Sequence, residues 1–75
     1  MSVTQEIVVR NRAIMNGKPT IKGTRITVEL ILKKLSEGIT VPDLVKIYPH
    51  LTTAQILAAL EYAATIISNE ELLDV

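Results

Sequence analysis

One segment constrains this chain more than any other. Of the fifteen residues Thr53–Ile67, eleven are apolar, and neither glycine nor proline interrupts them. Apolar residues recur at helical spacing through Ile56, Ala59, Leu60, Ala63 and Ile67, and again through Ala54, Ala58, Tyr62 and Ile66. Thr52-x-x-Gln55 just before is a capping box, in which each side chain satisfies the other's free backbone N–H. The pattern predicts a helix from Thr53 to about Ile67 or Ser68. A helix that is apolar most of the way round has to be covered on most sides. The face through Ile56 and Ala59 is assigned to the core. The face through Ala54, Ala58, Tyr62 and Ile66 is assigned to a dimer interface.

Little else in the chain can supply that cover. With 75 residues it buries only about 60% of the surface its unfolded form exposes. Cysteine is absent, which removes disulfides and thiolate metal sites, and His50 is the sole histidine. Of the usual remedies for a marginal core, association remains. The expected state is a homodimer.

Two further helices precede the apolar one. Thr27 is a good N-cap, and Val28, Ile31, Leu32 and Leu35 follow at i, i+3, i+4, i+7. Glu29 and Lys33 stand four apart in the favourable order, and Gly38 ends this helix. Thr40 caps the next, with Pro42 and Asp43 in its first turn, a stripe of Val41, Leu44, Val45 and Tyr48, and Pro49 as its stop. Ahead of Thr27 the reading is strands and turns. Glu6–Arg10 is β-branched and compact, Asn16-Gly17 signals a type I′ turn, and Gly23-Thr24 lies between Ile21 and Ile26. The predicted architecture is one mainly α domain over 1–75. A strand and turn segment (1–27) leads into a helix-turn-helix-like core (28–68), then a tail or short fourth helix (69–75).

Catalysis is poorly supported. A Ser–His–Asp triad would need His50 with Ser2, Ser36 or Ser68, which fall at a chain end and at helix ends. A chain this small does not easily enclose a pocket of several hundred cubic ångströms, roughly the size small-molecule sites have. No enzyme, cofactor, metal or small-molecule substrate is expected. The longest apolar run, Ile56–Leu60, is five residues against the roughly 18 of a spanning helix, and Met1–Arg10 lacks a signal-peptide pattern, so a cytoplasmic protein without a membrane role is expected.

The charges cancel overall yet are unevenly placed. Residues 1–25 carry Arg10, Arg12, Lys18, Lys22 and Arg25 against Glu6, a net +4; residues 47–75 carry only Glu61, Glu70, Glu71 and Asp74, a net −4. Such asymmetry points to an anionic partner for the first part, or to attraction between the two ends across a dimer. The helix that would enter a major groove has neither Lys nor Arg, and Gln55 alone near its start is equipped to read a base edge. The candidate nucleic-acid or partner-binding residues are therefore Arg10, Arg12, Lys18, Lys22, Arg25 and Gln55.

Residues 16–26 (Asn-Gly-Lys-Pro-Thr-Ile-Lys-Gly-Thr-Arg-Ile), then Val28-Glu29-Leu30-Ile31, Glu37-Gly38, Tyr48-Pro49-His50-Leu51-Thr52, and Ile56, Ala59-Leu60 and Tyr62-Ala63-Ala64 form a specific series. It resembles domain-of-unknown-function family 433 from about Arg12 to Ala64. The resemblance implies a small prokaryotic helix-turn-helix protein of antitoxin type. Many members are encoded beside a PIN-like nuclease. Duplex DNA is the second partner implied, since antitoxins commonly regulate their own operons. Leu57 stands where some members carry Arg, which weakens the DNA role. A homo-oligomeric structural module is the remaining alternative.

Within the family-like block, Gly17, Pro19, Gly23 and Thr24 are read as turn-shaping residues. Arg25 suits a carboxylate or phosphate held bidentately, or an ion pair with Glu29. His50 is expected to cap or pack in the interhelix turn. Tyr48 and Tyr62 are read as core or interface residues with a hydroxyl at the rim.

Overall fold

The computed structural model describes residues 7–71, with side-chain surroundings as far as residue 69. Glu6 of the expected strand and residues 72–75 of the expected tail lie outside this range. Two short strands, β1 (Val8–Val9) and β2 (Thr20–Ile21), pair antiparallel, with Val8 opposite Ile21 and Val9 opposite Thr20. Three helices follow: α1 (Val28–Ser36), α2 (Val41–Ile47) and α3 (Thr53–Glu71). The small, mainly α domain with an N-terminal strand pair is as the sequence predicts. The strand expected over Glu6–Arg10 shortens to Val8–Val9, because its partner has only two residues before a turn diverts it.

Each turn is held by named bonds. The Thr24 N–H donates to the Ile21 carbonyl at 3.0 Å, with Gly23 at φ +80 in the third position of that turn. The Thr24 hydroxyl donates to the same carbonyl at 2.8 Å and accepts the Ile26 N–H at 3.0 Å. Thr20 then bridges to Thr27, so residues 22–25 form a loop on a closed base. Earlier in the chain, Met15, Asn16 and Gly17 all have positive φ (+50, +57 and +82). The Gly17 N–H donates to the Ile14 carbonyl and the Lys18 N–H to that of Met15, both at 3.1 Å, which makes two overlapping turns. Asn16-Gly17 was legible as such a turn. Met15 was not, because nothing in an unbranched apolar side chain favours positive φ.

Helix ends follow the expected chemistry. Thr27 accepts the Leu30 N–H and Thr40 the Asp43 N–H. At the end of α1, the Ile39 N–H reaches the Lys34 carbonyl and the Gly38 N–H that of Leu35, with Gly38 at φ +93: a Schellman close. Thr52 and Gln55 cap α3 reciprocally, at 2.8 and 3.2 Å. That helix runs on to Glu71 rather than stopping near Ile67, since Ser68-Asn69-Glu70 holds no breaker.

The core is Val8, Ile21, Val28, Ile31, Leu44, Leu51, Ile56, Ala58 and Ala59, with Thr20 and Thr27 buried beside it. Among the described residues every buried side-chain nitrogen or oxygen has a partner. The division of α3 into a core face and a dimer face is corrected. Ala58 is only 6% exposed and belongs to the interior of a single chain, while Tyr62 is half-buried with one side packed against the core. Leu60, assigned to the core, is half-buried and outside it, and Ile67 is 55% exposed. Ala54 is exposed. The buried stripe runs through Ile56 and Ala59 to the half-buried Tyr62 and Ala63, because the strand pair and α1 cover the helix from a slightly different side than its most apolar one.

Candidate functional site

Helix lengths decide where apolar surface stays open. At 1.5 Å per residue, α3 is roughly 28 Å long and α1 roughly 14 Å. The core stripe of α3 therefore outruns its cover. Ala59 is fully buried, Tyr62 and Ala63 are half-buried, and Ile66 is 40% exposed. Apolar surface stays open at Leu57, 54% exposed near the start of the helix, and, separately, at the far end of the core face. There Pro19, Val28, Glu29, Leu32, Tyr62, Ala63, Ile66 and Ile67 line an open, mostly apolar groove of about 320 Å³. Of the expected dimer residues, Tyr62 and Ile66 lie in it, while Ala54 and Ala58 do not. Sequence reasoning missed Pro19, Val28 and Leu32 as its other wall, although the unequal helix lengths were a usable signal.

The basic candidates do not form one patch. β1 runs antiparallel to β2, so Arg10, just past Val9, and Lys22, just past Ile21, leave opposite ends of the ladder. Lys22 and Arg25 sit exposed on the loop 22–25, and neither has an ion-pair partner among the described residues. Arg10 and Arg12 instead flank the left-handed turn. The Arg10 Nε–H donates to the Gly17 carbonyl at 3.1 Å, and a Cβ on Gly17 would lie 3.7 Å from the Arg12 Cγ. Together with Asn16 and Gly17 they line an open concavity of about 390 Å³. Both concavities are open depressions that turns and a helix overhang make at the surface, not enclosed pockets.

Several single-residue expectations change. Lys18 is not a free cation: its Nζ is 2.9 Å from Glu29 Oε1. That pair takes the carboxylate the sequence had offered to Arg25 or Lys33. Gln55 spends its side-chain carbonyl on the Thr52 N–H. Reading adenine requires that same oxygen as an acceptor together with the amide donor, so base readout by Gln55 would break the cap of α3. His50 is exposed in the turn between α2 and α3. Among the described residues no group of three or more metal-ligating side chains gathers, and no helix is long and apolar enough to cross a membrane.

Residues 8–63 match the profile of the family described as "Protein of unknown function (DUF433)". The chain belongs to this family. A crystal structure of a DUF433 member from Anabaena variabilis superposes with a TM-score of 0.78 at 27% identity, over 93% of this chain and 66% of that one. This chain thus spans about two thirds of that relative's length. No curated protein matches it. The matched region begins at β1 and ends at Ala63, taking in both turn elements and the buried part of α3. The exposed end of that helix, from Ala64 on, lies beyond it.

Proposed function

We propose that this DUF433 chain is a non-catalytic, antitoxin-like partner protein that seats a small PIN-like nuclease and also pairs with a second copy of itself. The observation that supports this reading is the overhang of α3. Ile66 and Ile67 sit 40% and 55% exposed beside Tyr62, Ala63 and Leu32, apolar surface that a lone chain leaves in water. Burying a Leu- or Ile-sized side chain is favourable by about 1.5–3 kcal/mol, so a few such residues make a useful anchor for a partner. The nuclease enters from the family resemblance, not from the groove, whose chemistry asks only for an apolar ridge.

Autoregulatory binding to duplex DNA is the second part of the reading, supported by the net charge of +4 over residues 1–25. Any such contact would come from the loop 22–25 rather than from α3, whose start offers no cation and a committed Gln55. The deciding experiment is co-expression with the product of a neighbouring PIN-like reading frame, with light scattering on the purified material and a ribonuclease assay. A stable complex with suppressed cleavage, lost in Ile67→Glu, is expected. A nuclease that neither co-purifies with the chain nor loses activity in its presence sinks the reading.

A further inference from the structure

We propose that the concavity lined by Arg10, Arg12, Asn16 and Gly17 is a binding site for a phosphate monoester on a nucleotide-sized ligand. The proposal is independent of the α3 groove, and it adds a small-molecule role that the sequence did not suggest. Its volume of about 390 Å³ falls within the roughly 300–1,000 Å³ of ordinary small-molecule sites, and exceeds what a bare phosphate fills.

Charge and donors select the ligand. The lining residues include two guanidiniums and no carboxylate, and neither arginine has an ion-pair partner among the described residues. A phosphate monoester carries about −1.5 to −2 at neutral pH, which matches two arginines. A carboxylate carries one charge and would leave one of them uncompensated. The bond from Arg10 Nε–H to the Gly17 carbonyl holds that guanidinium in place, with its two terminal nitrogens left to donate. Arg12 lies against Gly17 on the same turn, and Asn16 is a further lining residue of the concavity. Two forks and an amide suit the three free oxygens of a terminal phosphate. A phosphodiester in a duplex has one charge and a chain on either side, so it does not enter a concavity end on.

The turn that makes the site is costly. Three successive residues have positive φ, and one of them is Met15. A strained non-glycine residue persists where its surroundings hold it, and such positions gather at ligand sites. Here the strain brings Gly17 under both arginines.

The test uses the whole chain, with calorimetry and amide NMR. Adenosine 5′-monophosphate, adenosine, and one single-stranded oligonucleotide with and without a 5′-phosphate are the probes. The monophosphate should bind, shifting the Gly17 amide and the Arg10 Nε–H signal, and adenosine should not. Arg12→Gln should weaken binding about ten- to a hundredfold, the worth of one or two hydrogen bonds to a charged group. Lys46→Gln, on α2, should leave it unchanged. If the oligonucleotide needs its 5′-phosphate and outcompetes the mononucleotide, the ligand is a nucleic-acid end; if the mononucleotide wins, it is a free nucleotide. Either supports the site. Equal binding of both oligonucleotides would overturn it in favour of the phosphodiester backbone. Arg12-dependent capture of a glutamate-rich peptide without any phosphate binding would overturn it in favour of a protein partner. So would the absence of binding at millimolar monophosphate.

Discussion

Gly23 isolates the cost of backbone conformation from every other term. Its φ is +80, and a Cβ built there meets no atom within 4 Å. An alanine at this site therefore suffers no clash, and its penalty is the left-handed backbone alone, about 1–2 kcal/mol. Against that stands a gain of about 0.4–1 kcal/mol, because alanine restricts the unfolded chain more than glycine does. The net expectation for Gly23→Ala is a loss near 1 kcal/mol. Unfolding entropy is about 2.1 cal/mol/K per residue, so a domain of this size loses roughly 6 °C in Tm for that amount. The chain is short enough for chemical synthesis, which permits a sharper comparison. A D-alanine at residue 23 is relaxed at positive φ and keeps the unfolded-state gain, so it should raise Tm by a few degrees. The assay is thermal unfolding followed by circular dichroism at two protein concentrations, because self-association would itself move the midpoint. An L-alanine variant as stable as the wild type, or a D-alanine variant as unstable as the L form, would refute the reasoning.

The α3 stripe separates core from open surface. Ala58→Glu, which buries an unpaired carboxylate, should cost at least ~3 kcal/mol and leave little folded protein, whereas Ile67→Glu should change stability by about 0.5 kcal/mol or less while abolishing any dimer. Denaturant titration and sedimentation of the two variants check this, and a wild type sedimenting as an 8.3 kDa monomer at micromolar concentration removes the dimer. Gln55→Ala should lower stability by about 1 kcal/mol through loss of the capping box and leave any DNA preference as it was, measured by chemical denaturation and by binding to two unrelated duplexes. Each phosphate neutralised contributes about −0.9 to the slope of log K against log salt, so Lys22→Gln with Arg25→Gln should flatten that slope for duplex DNA. An unchanged slope places the loop 22–25 away from the duplex.

Local chemistry was legible from residues alone. The caps at Thr27, Thr40 and Thr52, the close at Gly38, and the turns at Asn16-Gly17 and Gly23 all involve partners a few residues away, so spacing along the chain was enough to find them. The helices and their order follow from the same short-range rules. The family was legible too, since the series from Asn16 to Ala64 spans the turns and helix ends that make the fold.

What tertiary structure decided is which side of α3 is inside. An apolar helix offers several nearly equivalent faces, and burial then depends on where α1 and the strand pair lie rather than on periodicity. Ala58 went in, Tyr62 and Leu60 came to lie half-buried at the edge, and Ile66 and Ile67 stayed out because their helix is longer than its cover. The basic residues were sorted in the same way. Antiparallel pairing sent Arg10 and Lys22 to opposite ends, a fold-back gave Lys18 to Glu29, and the left-handed turn through Met15 gathered Arg10 and Arg12 about one concavity. Each of these joins residues whose nearness is set by chain crossings in space, and pairings of that kind leave no period in the sequence.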